Sequence, residues 1–282
     1  LRIELKAKNK ENVLNAIREL EKRDDILSAE PDYIYETAAT PNDPNYVNGY
    51  QWGLDGTSGG IQAPQAWNIT TGHAPVKVGV LDSGIDGQHE DLINVINDDL
   101  HRDYVDTSLF SNVRIIDKND LTDSSSNGHG TKVAGIIGAE ANNSLGILGV
   151  CWNVRLISLR VVNASGKSTA ARITRAVDFA TENNIPILNL SSGGGSFSDL
   201  WNSLETAIQN YPGLFVCSAG NNNIDNDTNP SYPSNYRLPN LISVGAIRSS
   251  GWRWELSNYG ATTVDIFAPG HDILSKTPGN NY

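Results

Sequence analysis

The chain has no methionine and only two cysteines among its 282 residues. Cys151 and Cys217 lack metal-ligand spacing, and each sits in or beside an apolar run. Both therefore read as small buried hydrophobes, and no disulfide is expected. Residue 1 is Leu rather than Met. The start is thus expected to be cut, and a missing secretory signal carries no information. Basic residues are outnumbered: 21 Lys and Arg against 32 Asp and Glu leave a formal net charge of −11. Nucleic acid and anionic membrane both need clustered Lys and Arg, so neither is expected as a partner. No run approaches the roughly 18 apolar residues of a membrane helix. With 39% hydrophobic and 19% charged residues, long disorder is excluded as well. The length suits one large domain with a small appendage.

Residues 11–25, "ENVLNAIRELEKRDD", place Val13, Leu14, Ile17 and Leu20 on one helical face. "ILSAEPDYIYE" follows with a strand-like close. Residues 37–50, "TAATPNDPNYVNGY", are rich in Pro, Asn and Thr and read as a linker, so a domain boundary is placed there. Beyond it short runs rich in Val, Ile and Leu recur: "VKVGVLD" (76–82), "VRLISLRVV" (154–162), "PILNL" (186–190), "GLFVCS" (213–218) and "LISVGA" (241–246). They read as strands buried on both faces. Between them, Ile173, Ala176, Val177 and Ala180 form one helical face, and Leu200, Leu204, Ala207 and Ile208 another. Strand alternating with helix predicts an α/β fold, a mainly parallel sheet with helices on both faces. In such sheets chemistry gathers at the carboxyl ends of the strands.

Three residues stand at or near such ends. Asp82 closes the first core strand in "VGVLDSGID"; alone, an Asp there is usually a cap or turn residue. His129 lies between Gly128 and Gly130, before the small apolar run Val133, Ala134, Gly135 and Ile136. Its plain reading is a capping or satisfied core histidine. Its functional reading is an imidazole at the mouth of a site, able to take a proton near neutral pH. Asn221 follows the strand in "LFVCSAGNNN". Runs of Asn often mean only a turn, yet its amide could serve as a neutral donor to a developing oxyanion.

Together "VLDSGID", "NGHGTKVAG" and "AGN" resemble the aspartate, histidine and oxyanion segments of the subtilisin-like serine proteases. "TPNDPNY" and "IQAPQAW" are similar to the amino-terminal segment of the thermitase branch. "LSNYG" and "FAPG" match stretches that precede the family's serine motif. The likeness runs from about residue 41 onward. It implies serine endopeptidase activity with Asp82 orienting His129, His129 as general base, and Asn221 donating to the oxyanion. In the family, "FAPG" leads to a Gly-Thr-Ser turn whose serine is the nucleophile. Residues 1–282 contain no such turn opening a small-residue helix. Gly56-Thr57-Ser58 is followed by Gly59 and Gly60, where a buried helix starts poorly. The chain is therefore expected to stop short of the nucleophile, and to be inert alone.

The resemblance further implies a substrate bound as an extended strand between Gly166-Lys167-Ser168 and Ser191-Ser192-Gly193, with Ala219 and Gly220 lining the pocket beside the cut bond. From composition alone "SGGGS" is simply a flexible loop. A structural calcium is implied at Asp43, Asp91 and Asn143, with backbone oxygens of Glu140, Leu145 and Ile147. Such an all-oxygen set suits a hard cation. Residues 1–36 resemble the last part of an inhibitory propeptide, cleaved near Tyr35, Glu36 or Thr37, with residues 37–50 as linker and mature amino terminus and 51–282 as catalytic domain. The propeptide is then a partner in its own right, and a secreted or cell-envelope location follows from the family.

The pattern departs from the family in two places. Lys132 stands where a second His is usual after Gly-Thr. Asp82 and His129 are 47 residues apart (129 − 82), and "NDDLHRDYVDTSLFSNVRIIDKND" (97–120) reads as a surface insertion beside the cleft. His89 in "GQHEDL" lacks the i, i+4 spacing of a zinc helix and reads as structural. The rival readings are a catalytically dead pseudoprotease used as a binding or regulatory module, and a flavodoxin-like binding domain. The second explains the sheet but not the three motifs.

Overall fold

The computed structural model describes residues 1–282 apart from 1, 2, 4, 7, 8, 32–39, 57, 58, 97, 106–112, 118, 119, 194–201 and 282. The chain forms two compact units, Leu1–Ala38 and Ala39–Tyr282. In the first, helix α1 (Lys10–Leu20) starts where the Asn9 side chain accepts a hydrogen bond from the Asn12 amide at 2.8 Å. That cap satisfies one of the free amides of the first turn. Residues 26–31 are irregular, and 32–36, where a strand was expected, lie outside the described residues.

The second unit is built on an eight-stranded sheet. Its elements in chain order are α2 (Pro44–Val47), α3 (Ala63–Trp67), β1 (Gly72–Asp82), β2 (Arg102–Asp103), β3 (Arg114–Ile115), α4 (His129–Gly138), β4 (Asn153–Arg160), α5 (Ala170–Glu182), β5 (Ile187–Leu190), α6 (Asn202–Asn210), β6 (Leu214–Ser218), β7 (Leu241–Ile247) and β8 (Ile266–Pro269). The order across the sheet is β3-β2-β4-β1-β5-β6-β7-β8, and every described pairing is parallel except β2 with β3. All five apolar runs singled out in the sequence are strands.

Their continuous apolar character follows from burial on both faces. Side chains alternate across a strand, so β1 sends Leu81 into a cluster with Ile173, Ala176 and Val177 of α5 and Leu204 and Ile208 of α6. Val78 and Val80 of β1 go to the other face, with Ala134 of α4. β4 divides likewise: Ile157 and Leu159 on one side, Val154 and Leu156 on the other. Cys217 is buried in the first cluster and Cys151 packs against the second; both thiols are free.

Two expectations change. Residues 41–50 are no slack linker: Asp43 is fully buried, its Oδ2 accepts from the Asn142 amide at 2.9 Å, and Asn45 N donates to Gly146 O. Nor is all of 97–120 a surface insertion: Asp99, Arg114, Ile115, Asp117 and Asp120 are exposed, but the part around β2 belongs to the sheet and its core. β2 pairs in parallel with β4, and His101, Asp103 and Tyr104 are almost wholly buried. Asp103 Oδ1 lies 3.2 Å from Arg160 Nε. Two-residue strands have no periodicity to read, and polar core residues look like surface ones.

Candidate active site

Parallel pairing brings the carboxyl ends of β4, β1, β5 and β6 to one edge of the sheet, side by side. Adjacent strands are about 4.8 Å apart, so the ends of β1 and β6 are separated by roughly 10 Å. Asp82 is the last residue of β1, and His129 is the first of α4. His129 Nδ1–H donates to Asp82 Oδ1 at 2.8 Å. The Asp82 side chain is 2% exposed, whereas that of His129 is 45% exposed. The sheet and α4 thus clamp the carboxylate, while the imidazole keeps one side open. No described residue hydrogen-bonds Nε2.

The pair's position is fixed by groups the sequence reading passed over. Ser83 N donates to Asp82 Oδ1 at 2.8 Å, and Ser83 Oγ donates to Asp123 Oδ1 at 2.7 Å. Asp123 also accepts from Ser125 N and Oγ through Oδ1, and from Thr131 N and Oγ1 through Oδ2. Ser125 Oγ in turn accepts from the His129 amide at 2.7 Å. One carboxylate thereby ties the β1 turn to the first turn of α4, leaving few orphan amides there. Gly130 completes the fit: a Cβ on it would lie 2.0 Å from Gly84 O. The small residue beside the histidine is what allows this approach.

Two effects compete at His129. The hydrogen bond it donates to Asp82 raises its pKa above the ordinary 6.5, burial lowers it, and the charges of Asp82 and Asp123 raise it further. The net direction is upward. With Nδ1–H committed to Asp82, the neutral ring presents the Nε2 lone pair outward, which is the form a general base needs.

Asn221 is exposed on the turn after β6, and no described residue holds its side chain. The turn itself is rigidly held. Asn258 Nδ2 donates to Ala219 O and Asn226 Oδ1, and its Oδ1 accepts from Asn222 N and Ile224 N. Gly220 has φ +112° and a Cβ there would meet Asn258 Nδ2 at 2.5 Å, so glycine is required. Ala219 is wholly buried, with N–H and C=O both bonded; it supports the turn and has no surface to line a pocket. Only Gly220 of that expected pair is partly exposed.

Of the two expected substrate edges, one follows β4. Lys167 N donates to Asn163 Oδ1 and its carbonyl accepts from Asn163 N, closing a tight turn in which Ser168 Oγ donates to Val161 O. Gly166 O and Ser168 N have no partner among the described residues. The other edge leaves β5. Asn189 Nδ2 donates to Ser191 Oγ, while the backbone of Ser191, Ser192 and Gly193 makes no hydrogen bond with a described residue. A Cβ at Gly193 would be 3.7 Å from Ser218 O, ordinary contact, so that glycine is not forced by space.

The residues assigned to calcium do come together, with Asp43 Oδ1 buried and without a hydrogen bond among the described residues, but a buried ammonium stands where a cation would. Lys276 Nζ contacts Asp91 Oδ2, and both side chains are fully buried. Asn143 turns its Nδ2, not its oxygen, to Asp91 Oδ1 at 2.5 Å, and its Oδ1 accepts from Leu145 N. Glu140 N donates to Asp91 O and its side chain is bonded to Asn94. The Ile147 side chain is buried in the apolar cluster on the α4 face, while the backbone oxygens of Glu140, Leu145 and Ile147 accept from no backbone amide among the described residues. Burial raises Asp43 and lowers Lys276, and each charge works against the shift of the other. A divalent cation placed here would sit against a buried ammonium. His89, fully buried, accepts from Asp91 N through Nδ1, as a structural residue would.

A parallel α/β sheet carrying a carboxylate–imidazole pair at its strand ends defines the class of fold. The model of the subtilase family matches residues 74–282, and the chain belongs to that family. It is 34% identical to the thermophilic serine proteinase of Bacillus sp. (strain AK1) over 96% of this chain and 61% of that protein. Thermitase of Thermoactinomyces vulgaris is 32% identical over 86% and 78% respectively. Among solved structures, a cold-adapted subtilisin-like serine proteinase superposes with a TM-score of 0.57 at 30% identity, over 79% of this chain and 74% of that one.

Proposed function

We propose that this chain carries the acid–base and oxyanion groups of a subtilisin-like serine endopeptidase. The observation that carries the reading is the 2.8 Å bond between buried Asp82 and half-exposed His129 at the strand ends. His129 Nε2 would take the proton of a serine hydroxyl as that oxygen attacks the peptide carbonyl, then return it to the leaving amine. Asp82 would hold the imidazole in the needed tautomer and stabilise it when charged. The Asn221 amide would donate to the tetrahedral oxyanion; in subtilisin, loss of that donor lowers kcat by about 10² to 10³. Names of relatives that are proteinases support the reaction class.

The substrate backbone would pair with Gly166 O and Ser168 N on one side and Ser191–Gly193 on the other, as an added strand. Residues 1–36 would act as an inhibitory propeptide. Their separate compactness supports this, and so does the 96% coverage of the match to the Bacillus proteinase, which extends into them. Secretion would follow from that processing. Expected cleavage at Tyr35, Glu36 or Thr37 falls outside the described residues, as do Thr57 and Ser58.

The nucleophile decides the matter. Reading the coding sequence past the Tyr282 codon should give a Gly-Thr-Ser turn opening a small-residue helix. Any other residue at the serine position favours a binding module. A polypeptide of residues 1–282 alone should neither cleave a peptide nor be labelled by a fluorophosphonate, and serine-dependent turnover by it would refute the assignment.

A further inference from the structure

We propose that Lys276 supplies from within the chain the positive charge that the Asp43, Asp91 and Asn143 cluster would otherwise take from a metal ion. Its ammonium contacts Asp91 Oδ2, with both residues at 0% exposure. Burying a charge demands a partner, and the two chains of contact that deliver Lys276 are themselves built in. Ser275 Oγ donates to Lys132 O on α4 at 2.6 Å. On the far side, Gly279 N donates to Asp86 Oδ2 and Glu90 N donates to Asn280 Oδ1, both at 2.9 Å. The Lys276 stem passes over α4 at Gly135, where an added Cβ would lie 2.8 Å from Lys276 Cγ. The segment 275–281 is thus stitched to the loop 86–91, and the lysine is its buried pin. The amide of Asn143, offering NH₂ to Asp91, suits a cluster already holding its cation.

The inference does not depend on proteolysis, and its test reads binding and melting. Calcium chloride is titrated calorimetrically into chelator-treated protein and into Lys276→Ala, and thermal midpoints are taken with and without calcium. The native chain should melt at the same temperature in both conditions with respect to this site. Lys276→Ala should melt lower in chelator, gain one calcium ion over the native chain, and recover by roughly 5–8 °C when calcium is about 100-fold above Kd. An equal calcium count in the two proteins, with no added response to calcium, overturns the proposal. Should Lys276→Ala fail to fold without calcium, Lys276→Met and the double change Lys276→Met with Asp91→Asn replace it. The proposal requires the second change to restore part of the midpoint lost to the first. Additive losses refute it.

Discussion

Asp82 and Asp91 stand nine residues apart on either side of one loop (91 − 82), and each meets a nitrogen base, yet the two pairs differ in one respect. His129 keeps 45% of its side chain exposed against a buried Asp82, while Lys276 and Asp91 are both sealed at 0%. A half-open pair can exchange a proton with something that arrives; a sealed pair can only hold the fold. Exposure, not residue type, separates chemistry from structure here. The comparison breaks if the two pairs respond alike to mutation.

The largest expected effect is on the open side. In the full-length protein, on the proposed reading as a protease, His129→Ala should lower kcat by about 10⁶, the order of loss known from subtilisin when its histidine is removed. The thermal midpoint should fall less than on the sealed side, since Asp82 Oδ1 keeps the bonds from Ser83 N and Oγ when the imidazole is lost. Peptide turnover and melting measured on one preparation decide it, and a large fall in stability would erase the contrast. On the sealed side the sign reverses. Asp91→Ala leaves a buried ammonium without its carboxylate, a loss of about 3–5 kcal/mol. The melting point should fall by roughly 6 °C or more. An unchanged midpoint would mean that Lys276 is not held as an ion pair.

The same contrast explains what the sequence could disclose. β1 and β4 to β7 were legible because burial on both faces leaves continuous apolar runs. Asp82 and His129 could be singled out because one closes an apolar strand run and the other stands between two glycines before a run of small apolar residues, and the fold brings that pair within 2.8 Å. Asn221 could be singled out after the β6 run and Gly220, but no described contact joins it to the pair. Asp123 was not legible: it works through contacts 40 residues from Ser83, and its local context, "TDSSSN", reads only as a turn. Lys276 was hidden more deeply, since "LSKTPG" is loop chemistry and nothing local says that its lysine is enclosed. β2 and β3 were lost because two residues carry no period. Hydrogen bonds made across long sequence separations are the part of this site that only a folded chain displays.

The smallest effect is also the most diagnostic of the open pair, its dependence on pH. The bond to Asp82 holds the His129 pKa above 6.5 against the opposing pull of burial. A base must be neutral, so the acid limb of kcat/KM should have its midpoint above the ordinary histidine value, with activity rising as pH increases. Stability should run the other way. A group with a raised folded pKa contributes fully below its unfolded value and loses that contribution as pH rises through the folded one. Melting across that window should therefore show a slight decline in the native chain, reduced further by solvent screening because the imidazole is half-exposed. Asp82→Asn should flatten the decline, and should bring the imidazole titration, followed by proton resonance, down toward burial-limited values. An acid limb at or below 6.5 in the native chain would show that Asp82 does not hold the charged imidazole, and the open pair would lose its claim to the chemistry.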